Sequence, residues 1–122
     1  MISPPPGTKV YLARAHIDMR MGMDALSAEV AQVLRSDPYS GSLFVFRSKR
    51  GDRMKILYWD GTGLCLFTKR LEVGSFVWPS AMEDNLQLSP AQLSLLIEGI
   101  DWKHISALNG RYVGAVRSPV FM

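Results

Sequence analysis

The most chemically informative stretch of this chain is a cluster of basic residues between two apolar runs. Five Lys and Arg side chains occur close together, and only Asp52 opposes them. They are Arg47, Lys49, Arg50, Arg53 and Lys55. Lysine offers phosphate a compact positive charge, and arginine can grip it with two parallel hydrogen bonds. The cluster therefore predicts a phosphate-binding finger, and the plainer alternative is a solvated hairpin tip.

The whole cationic surplus of the chain lies in this region. Between Arg47 and Arg70 there are seven basic and two acidic residues, since Lys69 and Arg70 add to the cluster. The rest of the sequence holds seven basic and nine acidic residues, although the net charge of the chain is +3. An asymmetry of this kind describes surface potential and partners rather than fold, and it favours contact with nucleic acid.

No catalytic pattern is recognisable among the remaining reactive side chains. The acids are scattered: Asp18, Asp24, Glu29, Asp60, Asp84 and Asp101. Metal-dependent strand transfer needs converging carboxylates, whereas helix caps, turns and surface charges explain each of these acids separately. Cys65 sits in an apolar alternation that is typical of a core thiol, and no glycine pattern matches a phosphate-binding loop. We therefore expect no enzymatic activity.

Neither a metal nor a cofactor is expected. His16, His104 and the single cysteine are too far apart in sequence to form a zinc-ligand pattern. A single cysteine also excludes an internal disulfide, which favours a reducing, cytoplasmic compartment. No apolar stretch approaches the length of a membrane span, and the first ten residues lack the pattern of a secretory signal.

The basic cluster lies in a region that predicts a β-meander. Gly51-Asp52 is a turn signal inside the basic cluster, and Asp60–Gly63 predicts a second tight reversal. Short links of this kind join antiparallel strands. The predicted strands are Lys9–Ala13, Ser42–Phe46, Met54–Trp59, Leu64–Arg70 and Ser75–Trp78.

One helix is predicted before the meander in the sequence, and a second helix is predicted after it. Gly22–Arg35 carries an apolar stripe at helical spacing, formed by Leu26, Val30, Val33 and Leu34. Ser89–Glu98 begins with a capping box and has Gly99 as a stop signal. The predicted fold is α+β: an antiparallel meander of four to five strands with two helices covering one face. We expect a single domain over residues 1–104 and a flexible C-terminal tail over residues 105–122.

Several consecutive segments resemble a known family. "MRMGMDAL", "DPYSGSLFVFRSKRGDRMKILYWDGTGLCLFTKRLEVGSFVWP" and "LSPAQLSLLIEGIDW" resemble the TnpB accessory proteins of bacterial insertion-sequence family sixty-six, from about Thr8 to Trp102. The resemblance implies a small protein encoded beside the transposase of a mobile element. It also implies that the acidic catalytic triad belongs to that separate, larger transposase.

"HIDMRMG" is similar to a histidine-x-aspartate-methionine-arginine element that recurs in this family. One interpretation makes Asp18 and Arg20 a partner-binding pair. The alternative, which we prefer, has Asp18 capping the turn and Arg20 holding a local carbonyl or carboxylate.

The leading hypothesis is an accessory protein of transposition that binds DNA, at the element ends or the target. The predicted DNA-binding residues are Arg47, Lys49, Arg50, Arg53, Lys55, Lys69 and Arg70. The alternative is a non-catalytic adaptor that assembles the co-encoded transposase subunits, and a generic RNA-binding module is weaker because no signature of one is present. Four aromatic residues near the basic cluster could stack on bases: Phe44, Phe46, Tyr58 and Trp59. Aromatic residues in strands more often belong to the core, and we prefer that interpretation. No membrane partner is expected, and the oligomeric state is left open.

Overall fold

A computed structural model describes residues 4–79 and 86–99 of the chain. Its elements are β1 (Val10–Leu12), α1 (Met23–Gln32), β2 (Leu43–Arg47), β3 (Arg53–Trp59), β4 (Leu64–Arg70), β5 (Leu86–Leu88) and α2 (Pro90–Glu98). The tail predicted for residues 105–122 lies outside the described residues, as does the predicted domain end at residue 104.

Five strands form one sheet in the order β4-β3-β2-β1-β5. The meander β2-β3-β4 is antiparallel throughout, as predicted. β1 pairs parallel with β2, and β5 pairs antiparallel with β1. The parallel pair arises because the chain between β1 and β2 includes α1, which provides the long crossover that parallel neighbours need. The α+β class is confirmed, with a mixed, mostly antiparallel sheet.

The two helices lie against opposite faces of the sheet. Val45 and Ile56 pack with α2 in one hydrophobic cluster, whereas Phe44 and Leu57 pack with α1 in the other. The prediction that both helices cover one face is therefore wrong. The physical reason is visible in β2, where Leu43–Phe46 are all buried. A strand with apolar side chains on both faces needs cover on both.

Helix α2 matches its prediction in detail. The Ser89 hydroxyl accepts a hydrogen bond from the Gln92 backbone N–H at 3.1 Å, and the Gln92 side chain accepts one from the Ser89 N–H at 2.9 Å. Gly99 closes the helix in the left-handed conformation, with φ of 77°. These contacts satisfy helix-end groups that would otherwise lack partners.

Helix α1 ends earlier than predicted. Its last residue is Gln32, and the N–H groups of Val33 and Leu34 both donate to the Glu29 carbonyl. Val33 therefore turns away from the apolar stripe and is 59% exposed, while Leu26 and Val30 are fully buried. Arg35 follows with a positive φ of 51°. The chain thus leaves the helical path one turn before the end of the periodic pattern.

The strand predicted at residues 75–78 is also wrong. This segment has no regular secondary structure and pairs with no strand in the described part of the chain. Instead, Phe76 is buried and the segment bonds to the loop between β2 and β3 through Phe76 and Trp78. Phe76 packs in the hydrophobic cluster on the α2 side of the sheet, and Trp78 packs against that cluster.

Candidate nucleic-acid interface

We call residues 48–53, the loop between β2 and β3 together with the first residue of β3, the basic tip. Ser48 organises this loop from within. Its N–H donates to the Arg53 carbonyl at 3.1 Å, and its carbonyl accepts from the Gly51 N–H at 3.1 Å. The buried Ser48 hydroxyl accepts further bonds from the N–H groups of Gly51 and Arg53, at 3.2 and 3.1 Å. A short polar side chain thus supplies the acceptors that the turning backbone lacks.

The basic tip is also held from outside by the chain that follows β4. The Gly51 carbonyl accepts bonds from the Phe76 N–H at 3.0 Å and from the Trp78 indole N–H at 2.8 Å. The Asp52 carbonyl accepts a bond from the Leu71 N–H at 2.9 Å. Gly51 has φ of 80°, a left-handed conformation that favours glycine. The loop therefore has a fixed backbone before any ligand arrives.

Three cations project from this fixed loop. Lys49, Arg50 and Arg53 are exposed, and none of these side chains has a hydrogen-bond or ion-pair partner within residues 4–79 and 86–99. The neighbouring acid, Asp52, is half-buried and accepts a bond from the Ser48 hydroxyl at 3.3 Å. The tip therefore presents three cations to solvent that are unpaired within the described residues, beside the single carboxylate of Asp52.

Two of the predicted DNA-binding lysines have a different environment. The Lys55 ammonium donates to the carbonyls of Met19 and Met21, both at 2.7 Å, and thereby fastens the segment before α1 to the sheet. The Lys69 ammonium donates to the Ile97 carbonyl at 2.9 Å, near the C-terminal end of α2. Helix carbonyls there lack partners and favour a cation. Both lysines are half-buried and make structural contacts.

The two remaining arginines differ in exposure. Arg47 is half-buried and donates to the Arg14 carbonyl at 2.9 Å. Arg70 is exposed, lies directly opposite Arg53 in the β3–β4 register, and has a long contact of 3.4 Å with Glu72. Opposed like charges repel each other across a sheet. An anion placed between Arg53 and Arg70 would relieve that repulsion.

Asp18 and Arg20 form a two-point ion pair within one turn. The Arg20 guanidinium approaches the carboxylate at 2.6 Å, and the Arg20 backbone N–H donates to the same carboxylate at 2.9 Å. These hydrogen bonds lower the pKa of Asp18 to about 2. This geometry corresponds to the interpretation preferred from the sequence, in which Asp18 caps the turn and Arg20 holds a local carboxylate. Arg20 nevertheless remains 91% exposed, so its outer edge is open to a partner.

Removing the Arg20 guanidinium is expected to raise the pKa of Asp18 toward the ordinary aspartate value of about 3.9. The depressed pKa means that the carboxylate stabilises the fold above its unfolded pKa, and that this stabilisation is lost as the pH falls through about 2. An NMR titration of the Asp18 carboxyl carbon in wild type and Arg20→Gln measures the change. Asp60 is the internal control, because its pKa is lowered by the Thr62 and Gly63 N–H groups and should not move. An unchanged Asp18 midpoint would contradict the assignment.

Cys65, Phe44, Phe46 and Trp59 are not part of the exposed surface of the basic tip. The Cys65 thiol is half-buried on β4 rather than in the core, and burial followed by the nearby Asp60 carboxylate raises its pKa. Phe44 and Phe46 are fully buried, which confirms the core interpretation for both. Trp59 stands at the opposite end of β3 from Arg53 and packs edge-on against Tyr39 at 5.5 Å. Stacking on bases beside the tip is therefore not available to these rings.

Comparison with known proteins supports the family resemblance that was seen in the sequence. Residues 8–107 match the family model described as IS66 Orf2-like protein. The chain belongs to this family. Two relatives come from Sinorhizobium fredii: the uncharacterized protein y4hO is 51% identical over 79% of this chain and 84% of its own length. The uncharacterized protein y4jC is 45% identical over 86% of this chain and 90% of its own length. No solved structure matches significantly.

In this IS66 Orf2-like protein, only some of the predicted DNA-binding residues lie close together with exposed charged groups. Lys49, Arg50 and Arg53 share the basic tip, and Arg70 lies beside it. Sequence reasoning identified Gly51 as part of a turn signal but missed two other residues that shape the tip: Ser48 and Trp78. The pairing of Ser48 with Gly51 could have been read as a polar turn. Trp78 gave no local signal because it bonds across 27 positions.

Two further observations limit the kinds of site in the described ranges. Within residues 4–79 and 86–99, no three His, Cys, Asp or Glu side chains lie close enough to hold a metal ion. No helix in those ranges is long and apolar enough to cross a membrane.

Proposed function

We propose that this protein is a non-catalytic accessory factor of transposition that binds DNA through its basic tip. Membership of the IS66 Orf2-like family supplies the insertion-sequence context. The observation that carries the DNA-binding proposal is the state of the tip cations. Lys49, Arg50 and Arg53 are exposed and unpaired in the described part of the chain, on a loop whose backbone is already fixed.

The proposed contact is with phosphate groups. Because the backbone of the tip is already held by hydrogen bonds, binding a polyanion requires ordering of the Lys and Arg side chains but not of the loop. Arg53 and Arg70 lie opposite each other on neighbouring strands, where Cβ atoms are about 5 Å apart. That spacing suits two guanidinium groups sharing one phosphate. Phosphate contacts of this kind position a protein on DNA without reading its sequence.

The non-catalytic part of the proposal rests on the local contacts of Asp18 and Asp60. Asp18 is committed to Arg20, and Asp60 accepts hydrogen bonds from Thr62 and Gly63 in its own turn. Each carboxylate therefore has a local structural role. The chemistry of strand transfer would belong to a partner protein.

The test compares two double variants that remove the same charge from opposite ends of the sheet. Lys49→Ala with Arg50→Ala alters the tip, which follows β2. Lys9→Ala with Arg35→Asn alters the end at which β1 and β2 begin, and asparagine tolerates the positive φ of Arg35. Fluorescence anisotropy with element-end DNA and an unrelated duplex measures binding, with and without the transposase.

The tip variant is expected to lose affinity for both duplexes by on the order of tenfold per phosphate contact at 0.1 M salt. The control variant should lose much less, since its cations lie away from the proposed surface. Equal losses in the two variants would contradict the proposal and indicate a general effect of net charge. Unchanged DNA binding, together with failure of the tip variant to retain the transposase in pull-down, would support the adaptor function instead.

A further inference from the structure

The outer edge of β4 is an unpaired row of backbone groups. Two loop bonds fix which residues face β3: the Leu71 N–H donates to the Asp52 carbonyl, and the Asp60 N–H donates to the Gly63 carbonyl. Because bonding direction alternates along a strand, residues 65, 67 and 69 bond to β3. The N–H and C=O groups that point away from β3 belong to Leu64, Leu66, Thr68 and Arg70. Within residues 4–79 and 86–99, no hydrogen bond reaches those outward groups.

Within the described residues, this edge lacks the features that usually prevent strand pairing. β4 is seven residues long, its register with β3 is continuous, and it contains no proline. Its first four residues, Leu64–Phe67, are apolar and only half-buried. Proteins normally blunt such an edge with a bulge, a proline, a free lysine or a covering element. Lys69 does not protect it, because its ammonium is bound to the Ile97 carbonyl.

We propose that β4 pairs antiparallel with β4 of a second copy of this chain, about a twofold axis at Phe67. In this register Leu64 lies opposite Arg70 of the second copy, and Leu66 lies opposite its Thr68. All four outward-facing residues then fall in hydrogen-bonded pairs, so each outward N–H and C=O group of β4 has a partner in the second copy. A twofold axis makes the same patch complementary to itself, as a closed dimer requires.

Side-chain chemistry favours this self-pairing over an unrelated strand. The axis brings Phe67 of each copy into a non-hydrogen-bonded pair, the closer kind, where two half-buried rings cover each other. The same register carries the basic end of β4, Lys69 and Arg70, toward the Asp60 turn of the second copy. Asp60 has no cationic partner in the described part of the chain, so the charges are complementary.

A proline at position 68 tests the pairing with little damage to the monomer. The Thr68 N–H points away from β3, so Thr68→Pro removes a bond of the proposed dimer but none of the β3–β4 ladder. Thr68→Val keeps the N–H and is the matched control. Sedimentation and light scattering from about 1 to 100 µM should show a dimer for wild type and Thr68→Val, and a monomer for Thr68→Pro. Circular dichroism checks that the proline variant is folded.

A cysteine cross-link tests the register independently of that variant. In a Cys65→Ser background, Phe67→Cys places two thiols at the proposed axis, where facing Cα atoms are within disulfide reach. Mild oxidation should give a covalent dimer for Phe67→Cys and little for Thr62→Cys, which lies off the axis. A wild-type monomer over the whole concentration range overturns the proposal, whatever covers the edge. A dimer that survives Thr68→Pro, or that cross-links equally at position 62, also overturns it.

Discussion

Replacing Lys49, Arg50 and Arg53 together by alanine is expected to flatten the salt dependence of DNA binding by roughly two to three units of log–log slope. Each phosphate that a cation neutralises releases condensed counterions, which gives a slope of about −0.9 per contact. All three side chains are exposed and unpaired within the described ranges, so the melting temperature should stay nearly unchanged. Anisotropy titrations between about 50 and 300 mM salt, together with thermal unfolding, measure the two quantities.

Lys69→Met provides the contrasting control for the triple variant. Lys69 belongs to the same basic region of the sequence, but its ammonium bonds to the Ile97 carbonyl. Its loss should lower the melting temperature, because a helix-end carbonyl loses its partner, and should leave the salt slope almost unchanged. If the triple variant kept the wild-type affinity and slope, the basic tip would be a solvated loop or a protein contact. A loss of slope in Lys69→Met equal to that in the triple variant would contradict the distinction between free and structural cations.

That distinction marks the boundary of what the sequence could predict about the site. The location of the basic turn was predictable, because its signals are local: charge density, Gly51-Asp52 and two flanking strands. Which cations remain free was not, because the partners of the bound ones are distant. Lys55 bonds to carbonyls 36 and 34 positions away, and Lys69 bonds to one 28 positions away. Every residue has a backbone carbonyl, so the residue type does not indicate which carbonyl accepts a hydrogen bond from a lysine.

The fold, like the site, has features that local sequence signals predicted and features that depend on distant contacts. The capping box of α2 and the hairpins of the meander depend on residues within a few positions, and both were predicted. The placement of α1 and α2 on opposite faces depends on pairing between β1 and β2, whose partners are about 33 positions apart. The continuous apolar run Leu43–Phe46 was the available sequence signal for two covered faces, since a strand covered on one side alternates. The early end of α1 and the role of residues 75–78 followed from packing that only the folded chain defines.

Gly51→Ala is expected to destabilise the protein more than Gly41→Ala, by about 1 kcal/mol or more. Both glycines have a left-handed backbone, with φ of 80° and 89°, so each substitution carries a similar conformational cost of about 1–2 kcal/mol. They differ in surroundings. A Cβ at position 51 would lie 3.1 Å from the Trp78 indole nitrogen, whereas one at position 41 would meet nothing within 4 Å. Urea unfolding of both variants measures the difference, and equal losses would show that the Trp78 contact relaxes freely.

A double-mutant cycle with Trp78→Ala assigns the extra cost to that contact. The indole cannot withdraw without lengthening its 2.8 Å bond to the Gly51 carbonyl, which is why the added methyl group should be costly. In the Trp78→Ala background the indole is gone, so Gly51→Ala should cost only as much as Gly41→Ala. The coupling energy between positions 51 and 78 would then equal the excess measured in the wild-type background. A Gly51→Ala penalty that persists in full without Trp78 would place the strain within the loop itself. The Trp78 contact would then not be the cause of the extra cost at position 51.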